Sequence, residues 1–149
     1  MKTYIGTKLI QAEPMTRGAY NEYRGWQIPA DENPEDTGYL VKYSDDYVSW
    51  SPAGVFEEVY RPMEDMTFGL AIEMLKRGHA LARKGWNGKH QFIEIASNIS
   101  YESPTLKRKD CEHEAIGNKA IAFVGTSGIQ LGWFASQADM LAEDWYIVA

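Results

Sequence analysis

The chain has 149 residues, 44% hydrophobic and 24% charged, the balance of a soluble globular protein with one domain or two small ones. A net charge of −6 lacks the basic footprint of general nucleic-acid binding. No apolar run is long enough to cross a bilayer, Met1-Lys2-Thr3-Tyr4 opens no signal peptide, and Cys111, the only cysteine, suits a reducing cytoplasm.

The charge is unevenly placed. Residues 1–65 carry 6 basic and 12 acidic side chains, whereas residues 66–149 carry 9 of each. This asymmetry, with the break at Arg61-Pro62-Met63-Glu64, divides the chain into a small module at 1–63 and a second domain at 64–149. In the first, Thr16 to Tyr23 predicts a short helix closed by Arg24-Gly25. Residues 29–38, rich in turn formers and carboxylates, predict a solvated loop. Tyr39–Tyr43 and Tyr47–Trp50 flank Ser44-Asp45-Asp46 as a hairpin. Ser51-Pro52, read as a cap and a first-turn proline, precedes Val55, Phe56, Val59 and Tyr60 at helical spacing.

In the second domain Phe68, Ala71, Ile72 and Leu75 recur with helical period, Thr67 can cap the start, and Lys76-Arg77-Gly78 closes the end. Ala80–Lys84 and Gln91–Ser97 predict strands around the turn Gly85-Trp86-Asn87-Gly88. Residues 98–118 read as a polar, irregular excursion. Ile121–Val124 and Ile129–Phe134 flank Gly125-Thr126-Ser127-Gly128 as another hairpin, Ser136 starts a short helix, and Trp145–Val148 is a last strand. The fold class is α+β: an antiparallel sheet packed by one main helix, with a small α+β module before it.

One stretch stands out chemically. Between Glu73 and Glu94 there is no carboxylate, yet Lys76, Arg77, Arg83, Lys84 and Lys89 lie there. Gly85 and Gly88 permit close backbone approach to a ligand, Trp86 offers a face for a base, and Asn87 can donate and accept. The alternative is a core tryptophan beside a plain turn. In a second stretch, Ser136 and Asp139 have the spacing of a capping box, which explains both without a ligand, and Gln137 is left unexplained. Enzyme readings are weak. Asp110-Cys111-Glu112-His113 makes no zinc site, His79 and His90 have no partner at relay spacing, and Lys107-Arg108-Lys109 reads as a solvated turn. No catalytic residue, metal or cofactor is expected.

Three landmarks then carry a resemblance: Met66-Thr67-Phe68-Gly69-Leu70-Ala71, Ala82-Arg83-Lys84-Gly85-Trp86-Asn87-Gly88-Lys89, and Ala135-Ser136-Gln137-Ala138-Asp139-Met140-Leu141-Ala142-Glu143-Asp144-Trp145. From Met66 onward the chain resembles the second Thoeris anti-defence family of phage proteins. The resemblance implies a sponge, not an enzyme, acting in the cytoplasm of the infected bacterial host. It would hold glycocyclic ADP-ribose made by a TIR-domain enzyme, and in some relatives cyclic oligonucleotides of the CBASS type. It also implies a homotetramer with pockets where protomers meet. Arg83, Trp86, Asn87 and Lys89 would serve the first pocket segment, and Ser136, Gln137 and Asp139 the second. Gly132-Trp133 departs from relatives that carry proline before that tryptophan. A protein-directed inhibitor of a host factor and a signal-degrading enzyme are the alternatives. Residues 1–63 resemble a small module found at the start of other phage proteins, for which packing or oligomerisation is the default role.

Overall fold

A computed structural model describes residues 1–105, 107–112 and 119–149. They form two compact units, Met1–Arg61 and Pro62–Ala149, of mixed α+β structure with antiparallel sheets. None of the helices is long and apolar enough to cross a membrane, among the described residues.

The first unit contains β1 (Gln11–Pro14), α1 (Arg17–Arg24), β2 (Gly38–Lys42), β3 (Val48–Pro52) and α2 (Ala53–Val59), with sheet order β1-β2-β3. Thr16 caps α1 by accepting from the Ala19 amide, and Gly25 ends it at φ 72°, a left-handed turn that glycine adopts without strain. The acidic loop after α1 is anchored rather than free. Arg17 and the buried Asn21 both donate to Glu32. Two rings organise the sheet: Tyr39 stacks on Phe56 of α2 at 4.1 Å, and the Trp50 indole donates to the Met15 carbonyl at 2.8 Å. Gly38 is needed there, since a Cβ would lie 2.3 Å from the Trp50 ring. Ser51 and Pro52 differ from the sequence expectation. Both belong to β3, Pro52 stands at the N-cap, and no side chain caps α2.

The second unit contains α3 (Phe68–Lys76), β4 (Leu81–Arg83), β5 (Phe92–Ala96), β6 (Asn98–Glu102), β7 (Arg108–Glu112), β8 (Ala120–Gly125), β9 (Gly128–Leu131), α4 (Gln137–Met140) and β10 (Trp145–Ile147). Five strands form one antiparallel sheet in the order β10-β4-β5-β8-β9. Helix α3, capped by Thr67, turns Ala71, Met74 and Leu75 into a core shared with Met66, Leu81, Ile93 and Trp145. Phe68 packs its ring 5.5 Å from that of Trp145.

The polar excursion contains a second, separate sheet. Strands β6 and β7 pair from Asn98↔Glu112 to Glu102↔Arg108. Hydrophobic alternation could not reveal them, because a hairpin outside the main sheet has no core face to mark. Lys107 lies at the turn, whereas Arg108 and Lys109 belong to β7, and Arg108 pairs with Asp110 at 2.9 Å. His113 lies outside the described residues. Strand β9 also stops at Leu131, short of Phe134, where Gly132 takes φ 76° and Trp133 donates its amide to Ile121.

Leu75 is 1% exposed at the centre of the α3–sheet contact. Leu75→Ala should therefore lower stability by about 2–5 kcal/mol, read from the denaturant midpoint of the full chain. A change under about 1 kcal/mol would place the core elsewhere.

Candidate functional site

The register of β4 and β10 builds the site. Trp145 pairs with Arg83, so the end of β4 lies beside the start of β10. The loop leaving β4 at residue 84 and the helix entering β10 thus meet at one end of the sheet. Residues more than fifty positions apart become neighbours.

Asp139 joins them. One carboxylate oxygen accepts from Arg83 Nη1 at 2.8 Å and from the Trp86 indole at 2.9 Å. The other accepts from the Ser136 amide at 3.0 Å and hydroxyl at 2.8 Å. Ser136 in turn accepts from the Asp139 amide, so the capping box expected from the spacing is formed. The Asp139 main-chain carbonyl accepts from the Trp145 indole at 3.0 Å. Asp144 completes the arrangement, accepting from Arg83 Nε and from the Gly85 amide, both at 2.8 Å.

These contacts set the electrostatics. Burial alone pushes the Asp139 carboxyl up, but hydrogen bonds from Trp86, Arg83 and Ser136 outweigh it and hold the pKa at about 2. Asp144 is also held low, chiefly by its bond from Arg83. Arg83 is correspondingly raised by both carboxylates. Lys84 pairs with Asp65 at 2.7 Å. Lys89 makes no ion pair among the described residues and is exposed.

Beside this network lies a concavity of about 420 Å³, lined by Arg83 at the end of β4, by Lys84, Trp86, Gly88, His90 and Gln91 of the loop after it, and by Glu64 and Tyr146. Trp86 is partly buried. Local sequence suggests polar surroundings, yet Phe123, Trp133 and Trp145 meet its ring edge-to-face at centroid distances of 5.5, 6.1 and 5.3 Å. The ring therefore serves the core and the concavity together. Of the other candidates, Asn87, Lys89, Ser136 and Gln137 are exposed, Asp139 is buried, and none of the five lines the concavity. Sequence reasoning missed Asp144, Gln91 and Tyr146. Gln91 ends the loop itself, and only the strand register brings Asp144 and Tyr146 to it. Among the described residues no group of three or more His, Cys, Asp or Glu side chains could hold a metal ion.

Residues 66–148 match the Thoeris anti-defense 2-like domain family. The chain belongs to this family. The Thoeris anti-defense 2 protein of Bacillus phage SP01 is 39% identical over 87 residues, covering 56% of this chain and 96% of that relative. Family membership gives the chain a phage anti-defence role, and the matched region contains both the loop after β4 and the Asp139 network.

Two predictions follow from the network's chemistry. Folding lowers the Asp139 pKa from about 3.9 in an unfolded chain, so its contribution is complete above that value. It is lost as pH falls from about 4 to about 2. Asp139→Asn should cost about 2–3 kcal/mol at pH 7, because Arg83 keeps only Asp144, and should flatten the acid limb of stability against pH. An unchanged acid limb would remove Asp139 from that role. Ser136→Ala removes one cap bond and should cost roughly 1 kcal/mol in thermal or denaturant unfolding. A neutral result would leave Ser136 without a structural task.

Proposed function

We propose that the family domain binds and sequesters nucleotide-derived immune signals without cleaving them, in the cytoplasm of the infected bacterial host. Glycocyclic ADP-ribose is the first candidate and CBASS cyclic oligonucleotides the second. The observation that carries this reading is the concavity beside Trp86, bordered by a loop whose sequence holds cations and no carboxylate. An aromatic ring partly exposed in a hollow suits a base, worth roughly 1–3 kcal/mol by analogy with single-stranded nucleic-acid sites. Exposed Lys89 and the loop amides suit phosphate oxygens. Arg83 acts through position: its two ion pairs hold the loop, and direct contact with phosphate falls to Lys89.

Binding without turnover fits the two carboxylates that anchor the loop through Arg83. Asp139 at about 2 lies far below the range of a general acid or base working near neutrality, and Asp144 is also held ionised. Neither could protonate a leaving group.

The site is further proposed to be completed by other copies in a homotetramer. Asn87, Lys89, Ser136 and Gln137 face outward in the single chain. Phe134 and Leu141, on either side of α4, are 93% and 81% exposed, and the edge strand β9 exposes Ile129 and Leu131. Covering such apolar side chains is a common task of an interface.

The test is to incubate protein with purified glycocyclic ADP-ribose, remove unbound ligand, heat-denature the protein and assay what is released. Stoichiometric, intact recovery is the expected result. A changed product would mean an enzyme, and no depletion before heating would favour a protein-directed inhibitor. Lys89→Ala should weaken binding, with a smaller salt dependence than the parent, in calorimetry at two ionic strengths.

A further inference from the structure

Gln91 occupies an unusual seat. It precedes β5 at the inner end of the loop and lines the concavity with Trp86. Its side chain lies so close to Gly88 that a Cβ there would be 1.8 Å from the carboxamide carbon and 2.0 and 2.1 Å from its oxygen and nitrogen. Gly88 does not have a positive φ, so a side chain at position 88 would meet the Gln91 carboxamide and displace it from its present seat. His90, next to it, has φ 59°, a left-handed conformation that a non-glycine residue adopts at a cost of order 1 kcal/mol. The missing Cβ at position 88 leaves this seat open to the Gln91 amide.

That amide has no hydrogen-bond partner among the described residues, although the residue is partly buried. A glutamine kept only to brace the loop would bond to it. A primary carboxamide presents a donor and an acceptor side by side, in the plane needed to meet the edge of a heterocycle. Adenine offers the complement, an amino donor on N6 beside the N7 acceptor. On that same N7 edge a base with a carbonyl in place of the amino group offers two acceptors.

We propose that Gln91 is a specificity-determining residue, whose carboxamide reads the edge of a base held against Trp86 and favours adenine over a 6-oxo purine. This rests on the binding reading above. The experiment is calorimetry of the full chain with glycocyclic ADP-ribose and with its deaminated, hypoxanthine-containing counterpart, with melting curves for each variant. The parent should prefer the adenine form by about tenfold or more. Gln91→Ala should bind both forms with less than about threefold preference, and Gly88→Ala, which displaces the amide, should act in the same direction. Gln91→Glu keeps the shape but loses the donor, and should weaken both forms, the adenine form keeping its amino group as a partner. A parent that binds both forms equally overturns the assignment and leaves sequestration standing. So does folded Gln91→Ala that keeps the parental preference. A parent that binds neither form overturns glycocyclic ADP-ribose as the captured signal and this assignment with it.

Discussion

The carboxylate of Asp139 sits where three separate structural demands meet. The N-cap of helix α4 needs an acceptor for the Ser136 amide and hydroxyl, the Arg83 guanidinium needs a counter-charge away from water, and two indole N–H groups need acceptors inside an aromatic core. The side chain satisfies the cap, the arginine and Trp86, and the main-chain carbonyl satisfies Trp145. Each bond is ordinary in length. Their value comes from sharing one buried centre, since removing it leaves several polar groups unpaired at once. An isolated four-residue helix is far too short to be stable in water, so α4 exists because this centre and the adjoining core hold it.

The same network changes the meaning of the basic loop. Read as a string of charges, the segment from Lys76 to Lys89 is an anion-attracting field. In the fold, Arg83 faces two carboxylates, Lys84 faces Asp65 and Lys76 faces Glu73. The net field near the concavity is much weaker than the count of cations suggests. What remains is directional: loop amides, the exposed Lys89 ammonium, and a tryptophan ring whose orientation is set by its bond to Asp139. Such an arrangement selects by shape and hydrogen bonding more than by bulk charge.

Within the first unit, the acidic loop follows a parallel logic at smaller scale. Arg17 and Asn21 on one face of α1 both reach Glu32, and Gly18 lets the backbone at Pro34 approach the helix, where a Cβ would lie 2.7 Å from Pro34 Cβ. Excess negative charge there is held in a defined place by a few polar contacts. It forms part of a small fold with its own rings and sheet.

Much of this protein was legible in its residues alone. The caps at Thr16, Thr67 and Ser136, the closing glycines 25 and 78, the hairpin turns, and the helical period of Phe68, Ala71, Ile72 and Leu75 are local signals, and local chemistry forms them wherever they occur. The order and spacing of three landmarks likewise sufficed for the family. The β6–β7 hairpin was hidden because period-two alternation appears only where one face is buried. The site's actual partners were hidden for a different reason. Nothing in the vicinity of Trp86 in the chain announces that its neighbours are Phe123, Trp133 and Trp145, or that Arg83 will be neutralised by residues 139 and 144. Those facts depend on the antiparallel register of β4 with β10, a long-range choice made by the whole core. Sequence determined most of the elements and the family; tertiary structure alone decided which side chains balance one another.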